Sequence, residues 1–176
     1  MKYNLCLLVI LSHFILQAQD CRIVSRTSKK NSEIERKGGS VPSKDNFIFL
    51  LEKSYDSGNP GDTLNYSATI IMGSMYELKD SIINAEGNFE FYLSNGEILI
   101  WNKAKASNLG DVLMTSFPNH IMFIVRGTKK QLEPLTKYHV TKIRAFAILE
   151  TTFETKSQKQ LLTIADCLNK SEDRWD

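Results

Sequence analysis

From residue 46 onward, apolar and polar residues alternate with the two-residue period of β-strands. Residues 64–72 show the alternation most clearly, because every second position from Leu64 to Met72 is apolar or aromatic. The pattern predicts strands over residues 47–55, 64–72, 76–83, 89–93, 98–101, 121–126 and 140–149, with residues 151–154 as a continuation of the last. The chain is therefore expected to be mainly antiparallel β-sheet.

Asn95-Gly96 gives the strongest local signal, since this pair favours a two-residue type I′ hairpin turn. Pairing outward from such a turn sets Leu93 against Ile98. The predicted core face then holds Phe89, Phe91, Leu93, Ile98 and Ile100, and the opposite face holds Glu90, Tyr92, Glu97, Leu99 and Trp101.

On that second face, Tyr92, Leu99 and Trp101 form a candidate binding surface, because exposed aromatic residues anchor interfaces. Monomers seldom expose such patches, so the favoured interpretation is that another part of the chain covers the three residues. The C-terminal helix and the long polar connection over residues 102–119 are the two candidates for this cover.

A helix is predicted to close the chain. Leu161, Ile164, Ala165 and Leu168 recur at helical spacing, and either Thr155 or Ser157 is a suitable N-cap. A shorter helical turn or loop is expected over residues 128–139. The predicted fold class is α+β, in which a mainly antiparallel sheet, either a sandwich or one strongly twisted sheet, packs against a single C-terminal helix.

Residues 1–19 have the pattern of a secretory signal peptide. Lys2 gives a basic start, residues 5–16 are apolar except for Ser12 and His13, and a short polar stretch follows. The apolar run is too short for a transmembrane helix, which needs about 20 residues. An exported protein is therefore predicted, in the periplasm or outside the cell, with no transmembrane segment after signal removal.

The remaining chain divides into two predicted parts. Residues 20–45 are expected to form a short strand near residues 22–25 followed by a mobile polar segment, because this stretch is polar and contains Gly38, Gly39 and Pro42. Residues 46–176 are expected to form a single globular domain.

Cys21 lies just beyond the predicted signal peptide, and three states are open to it: a lipid anchor, a disulfide or a free thiol. The charged Asp20 directly before Cys21 argues against lipidation, which would attach the protein to the outer membrane. Signal removal takes Cys6 and leaves Cys21 and Cys167, and an even count in an oxidising compartment favours a disulfide between them. Two free thiols are the alternative.

Composition and charge narrow the function classes. Hydrophobic residues make up 42% of the chain, enough for an ordinary core. The net charge is only +2, which argues against a nucleic-acid partner because such proteins concentrate basic residues on one face.

The catalytic signals are weak. His120 and His139 are not spaced as metal ligands with a second His or Cys, and no phosphate-binding loop, nucleophile elbow or zinc-protease motif occurs. We therefore predict no enzyme activity, no metal and no cofactor.

Several stretches together resemble a group of small, uncharacterised exported proteins of Gram-negative bacteria. They are D-C-R-I near residue 21, the Y-L-S-N-G-E-I-L-I-W hairpin, I-M-F-I-V-R, the run L-E-P-L-T-K-Y-H-V-T-K-I-R-A-F and the terminal L-L-T-I-A-D-C-L. The resemblance implies an early and a late cysteine that pair, and it implies no activity. In residues 26–45 the chain departs from the pattern of the group, which has a more ordered acidic and glycine stretch there.

Two functions are consistent with these observations. The first is a non-catalytic periplasmic or surface binding module whose site is the Tyr92, Leu99 and Trp101 face with the 102–119 connection. The alternative is an immunity-type or inhibitory protein that binds another exported protein.

Overall fold

A computed structural model of the chain describes residues 22–29, 32–45, 47–56, 63–72, 86–108 and 121–171. The strands are β1 (Arg22–Lys29), β2 (Ser32–Pro42), β3 (Ile48–Asp56), β4 (Thr63–Met72), β5 (Glu86–Leu93), β6 (Ile98–Asn108), β7 (Ile121–Gly127), β8 (Val140–Ala145) and β9 (Leu149–Thr152). The helices are α1 (Lys129–Leu132), a 3₁₀ helix (Glu133–Thr136) and α2 (Thr155–Lys170).

The described strands form one antiparallel sheet in the order β1-β2-β3-β4-β7-β6-β5-β8-β9. The prediction of a mainly antiparallel sheet with a C-terminal helix packed on it is confirmed. Within the described ranges the strands make a single sheet and not the two stacked sheets of a sandwich.

The sheet curls strongly toward its inner face. Four strand spacings separate β3 from β5 in the sheet order, which would place them about 19 Å apart in a flat sheet. Phe49 of β3 and Phe91 of β5 nevertheless have ring centroids 6.3 Å apart. Between the second and the last strand in the sheet order, Lys44 N donates to Thr152 O at 3.0 Å, and Thr151 Oγ1 donates to Asp45 Oδ2 at 2.7 Å. The β2–β3 turn thereby contacts β9, and the sheet forms a curled half-barrel.

Helix α2 packs against the inner side of this half-barrel, mainly on β2, β3 and the 3₁₀ helix. Its predicted apolar face is confirmed, because the four predicted residues Leu161, Ile164, Ala165 and Leu168 are all buried. The predicted caps are wrong. The N-cap is Glu154, which makes no side-chain cap hydrogen bond, and Ser157 is buried inside the first turn.

The short helical segment between β7 and β8 is also confirmed. Thr128 caps α1 by accepting a hydrogen bond from Gln131 N, and the Gln131 side chain accepts from Thr128 N. This reciprocal arrangement satisfies donors that a helix start leaves unpaired.

The mobile segment expected within residues 20–45 is instead largely strand. β2 covers much of it and pairs with both β1 and β3. Its Gly38, which resembles a turn residue in the sequence, allows close strand packing, because a Cβ there would lie 2.4 Å from Leu51 O. Val41 then contributes a buried side chain to the core.

The β5–β6 hairpin differs from the prediction by one residue. Leu93 N donates to Glu97 O, and Gly96 N donates to Leu93 O, so residues 94–96 form a three-residue loop. Gly96 takes the left-handed φ of 88°, as expected for a type I turn followed by a bulge residue. Asn95 is not among the positive-φ residues, which excludes the type I′ turn.

This slip reverses every side chain of β6 relative to the prediction, because strand side chains alternate with a period of two. Phe91 lies opposite Leu99 and Phe89 lies opposite Trp101. Trp101 is therefore in the core, and Ile98 and Ile100 lie on the outer face.

The predicted strand 140–149 is broken by a tight turn after β8. Phe146 and Ala147 have positive φ values of 56° and 59°, and Ile148 N donates to Ala145 O. The chain reverses there into β9. Phe146 packs its ring against Phe123, with centroids 5.3 Å apart, which fixes the turn against the core.

Two other predictions concern the connections. β6 continues to Asn108, so the first part of the expected 102–119 connection is strand, and the rest of that connection lies outside the described residues. The predicted strand 76–83 and signal peptide 1–19 also lie outside them. No helix among the described residues is long and apolar enough to cross a membrane.

Candidate functional site

A polar pocket lies on the outer face of β2, β3, β4 and β7. Two cross-strand rows form it, one of Arg36, Ser54 and Asn65, and the next of Glu52, Ser67 and Arg126. The pocket has a volume of about 120 Å³ and is lined by Arg36, Glu52, Ser54, Asn65, Ser67, Ile124 and Arg126.

The strand period explains why these side chains meet. In β3, Leu51 and Lys53 face the core, so Glu52 and Ser54 face outward. Serines occupy the middle strands of both rows, and the long arginine side chains lie on the flanking strands. Short side chains between long ones leave a concave surface.

Burial raises the pKa of the Glu52 carboxyl above its usual value, and the nearby positive charge of Arg36 opposes that shift. Within the part of the chain that the structure describes, no ion pair shorter than 4.0 Å joins Glu52 to Arg36 or to Arg126. The two guanidinium groups therefore retain donors for another acceptor.

The pocket's chemistry is that of an anion site. A guanidinium group presents a planar fork of N–H donors that matches a carboxylate or a phosphate. The hydroxyls of Ser54 and Ser67 add neutral donors and acceptors, and Ile124 supplies an apolar wall. With Glu52 ionised, two arginines and one carboxylate leave a net charge of +1.

A second charged cluster on the outer face, on β5, β8 and β9, is internally paired. Arg144 Nη2 donates to both Glu90 carboxylate oxygens, at 2.9 and 2.7 Å. This hydrogen bonding lowers the pKa of Glu90 and raises that of Arg144. Lys142 forms an ion pair with Glu150 at 3.2 Å. These charges neutralise one another, in contrast to the arginines of the pocket.

The structure does not bring the predicted binding residues Tyr92, Leu99 and Trp101 to one surface. Trp101 is fully buried, with its ring centroid 5.2 Å from that of Phe91, and Leu99 packs against the same core. Tyr92 lies on the opposite, outer face, where Lys142 Nζ is 4.0 Å from its ring centroid. The predicted surface is therefore wrong, because the three-residue loop turns Leu99 and Trp101 inward.

The same slip exposes two isoleucines that were predicted to be core. Ile98 is 50% exposed and Ile100 is 46% exposed, on the outer face beside Tyr92 and Glu90. They form a small apolar patch separate from the arginine pocket.

The predicted cysteine pair is only partly within the described residues. Cys167 lies in the last turn of α2 and is half-buried, whereas Cys21 lies outside the described residues. The disulfide between them stays a prediction.

No family model, no curated protein and no solved structure matches this chain. The pocket could not be predicted from the sequence because its residues come from four strands. Two of these strands, β4 and β7, are neighbours in the sheet, yet Ser67 and Arg126 are more than 50 positions apart in the chain. Only the observed pairing of β4 with β7 brings Arg126 to Ser67.

Proposed function

We propose that the protein is a non-catalytic binding module and that the outer-face pocket binds a compact anion through a carboxylate or a similar oxyanion. The observation that carries this proposal is the pair of guanidinium groups, Arg36 and Arg126, that no described carboxylate neutralises at ion-pair distance. A bound oxyanion would supply the missing acceptors.

The internally paired cluster supports the proposal by contrast. Arg144, on the same side of the sheet, is held by a bidentate hydrogen bond to Glu90 and does not need a ligand. Arg36 is close enough to Glu52 for its positive charge to oppose the rise in the pKa of the Glu52 carboxyl. The two side chains nevertheless do not form a bidentate hydrogen bond. An arginine that is left unpaired beside a carboxylate is available to a third group.

Titration with acetate, followed by amide chemical shifts in an NMR spectrum, tests the site. We expect saturable shifts at the amides of residues 52, 54, 65 and 67. R36Q and R126Q should each weaken binding at least tenfold, because each removes a charge-assisted hydrogen bond. K130Q is the matched control, since Lys130 is an exposed cation on α1 that does not line the pocket. Equal acetate affinity in R126Q and K130Q would contradict the proposal.

A protein partner is a second candidate function, and the exposed Ile98 and Ile100 favour it. In this hypothesis the chain is an immunity-type or inhibitory protein that binds another exported protein through the apolar patch. Pull-down from a periplasmic extract should recover one stoichiometric protein with the unaltered chain and none with the I98D/I100D double variant. Recovery of the same protein by both chains would exclude the patch as the interface.

We also propose that the protein is exported and that Cys21 and Cys167 form a disulfide. The strand pairing supports the disulfide. β1 begins at Arg22, the residue after Cys21, and Ile23 lies on the same cross-strand row as Lys37 and Lys53. Lys53 Nζ donates to Ser171 O at 2.8 Å, one turn beyond Cys167, so the last turns of α2 lie near the start of β1.

Mass spectrometry of non-reduced mature protein tests this pairing directly. A linked peptide containing Cys21 and Cys167 is the expected result. Free thiols at both positions would exclude the disulfide, and a diacylglycerol mass on Cys21 would establish a lipid anchor instead.

A further inference from the structure

The outer face beyond the arginine pocket is apolar. Next to the Glu52 row lies a row of Leu50, Thr69 and Ile124, and beyond it a row of Ile48, Ile71 and Met122. Ile48 is 47% exposed, and Leu50, Ile71, Met122 and Ile124 are half-buried. This group of five apolar residues, Ile48, Leu50, Ile71, Met122 and Ile124, is called the apolar strip below.

The strip is continuous with the pocket. Ile124 belongs to both, since it lines the pocket beside Arg126 and also lies in the first apolar row. Along β7 the outward side chains run from Arg126 to Ile124 to Met122, so the charged end and the apolar end of the face share one strand. A ligand bound at the guanidinium groups has the strip as its next contact.

We propose that the ligand is an amphipathic anion, with a carboxylate head between Arg36 and Arg126 and an unbranched acyl tail along the apolar strip. This inference rests on the proposed anion site and adds the substrate class to it. The net charge of +1 in the pocket selects an anionic head, and the absence of charge in the strip selects an apolar tail.

The dimensions suit such a tail. Two residues of a strand advance about 6.8 Å, so the outward positions from Arg126 to Met122 span about 14 Å. The strip crosses β3, β4 and β7, which spans about 10 Å at the usual spacing of paired strands. A single extended acyl chain fits this length and leaves part of its surface in water.

The exposed Ile98 and Ile100 are a weaker site for the same ligand. The charges beside them, Glu90 and Arg144, already bind each other at 2.7–2.9 Å. An anionic head there would have to displace a bidentate carboxylate. The arginine pocket requires no such exchange, so the head group favours the β2–β3–β4–β7 face.

Binding of a series of straight-chain carboxylates, from acetate through hexanoate and octanoate to decanoate, tests the inference by calorimetry below their micelle concentrations. A fully buried methylene contributes about 0.8 kcal/mol, which is about fourfold in affinity. Because the five residues of the strip are half-buried or exposed and do not enclose the tail, we expect about twofold tighter binding per methylene from acetate to decanoate.

Three variants separate the parts of the site. M122Q and I71T should reduce decanoate affinity at least fivefold and leave acetate affinity unchanged. I98T is the matched control, since it removes an exposed outer-face isoleucine from another part of the sheet, and it should behave like the unaltered chain. R126Q should weaken acetate and decanoate by the same factor.

The outcomes distinguish the two proposals. Acetate binding with no dependence on chain length, or equal loss of decanoate affinity in M122Q and I98T, would overturn the acyl ligand and leave the anion site standing. Failure of acetate to bind at the pocket amides would overturn the anion site. Amide spectra of each variant establish that the sheet is intact, so a loss of binding cannot be attributed to unfolding.

Discussion

The inward position of Trp101 makes a prediction that distinguishes the observed β5–β6 register from the alternative with a two-residue turn. Trp101 is fully buried, packs against Phe91 and lies so close to Gly127 that a Cβ there would be 2.6 Å from the indole. W101A removes this side chain from the core and leaves a cavity beside Phe91 and Gly127. We expect a loss of about 3–5 kcal/mol in the free energy of unfolding, the range for large aromatic residues replaced by alanine.

I100A is the matched control, because Ile100 is the preceding residue of the same strand and is 46% exposed. Its loss should stay below about 1 kcal/mol, as is usual for substitutions on a solvated face. Urea unfolding followed by circular dichroism measures both values, and an unchanged m-value establishes that the denatured states are comparable. In the two-residue register Ile100 is a core residue, so I100A would cost several kcal/mol. A loss of that size in I100A would show that the three-residue loop is wrong.

Three further predictions concern stability. The lowered pKa of Glu90 implies that its pair with Arg144 stabilises the fold above the ordinary carboxyl value of 4.5 and stops doing so as the pH falls through the lower folded value. E90Q should therefore lower the free energy of unfolding by about 0.5–1 kcal/mol at pH 7. It should also make that free energy depend less on pH below 4.5, and an unchanged dependence would contradict this interpretation. K53M removes a buried ammonium that binds Ser171 at the C-terminus of α2. We expect the free energy of unfolding to fall by about 1.5–3 kcal/mol and hydrogen exchange to become faster in the last turn of α2, and amides that stay protected there would argue against the contact. G38A places a methyl group 2.4 Å from a β3 carbonyl oxygen. Thermal unfolding should therefore report about 1–3 kcal/mol of destabilisation, and an unchanged melting temperature would show that β2 and β3 separate easily.

Alternation in the sequence was sufficient to predict most strands but could not fix the register of β6. The stretch from Ile98 to Trp101 is apolar at all four positions, so either face of the strand is an acceptable core face. Which face of β6 is buried depends on whether Asn95-Gly96 belongs to a two-residue or a three-residue loop. The same two residue types suit both loops. Packing of the Trp101 ring against the Phe91 ring decides which face of β6 is the core face, and this contact exists only in the folded chain.

Neither β2 as a long strand nor the pocket was predicted from the sequence, because both are made of polar residues. A polar stretch with two glycines resembles a loop, yet Gly38 provides the close approach to β3 that a side chain would block. Arg36 and Arg126 are 90 positions apart, and neither belongs to a recognised motif. Their proximity is a product of the sheet order, in which β7 is inserted beside β4.

The insertion of β7 beside β4 has a consequence for how the chain reaches its native state. Until Ile121–Gly127 is available, the hydrogen-bonding groups on one side of β4 have no partner, and an uncovered strand edge recruits other chains. Fragments that end before residue 121 are therefore expected to aggregate, and complete chains to remain dispersed. The interval before β7 docks is therefore the stage of folding at which binding of a chaperone to the chain would prevent the most aggregation.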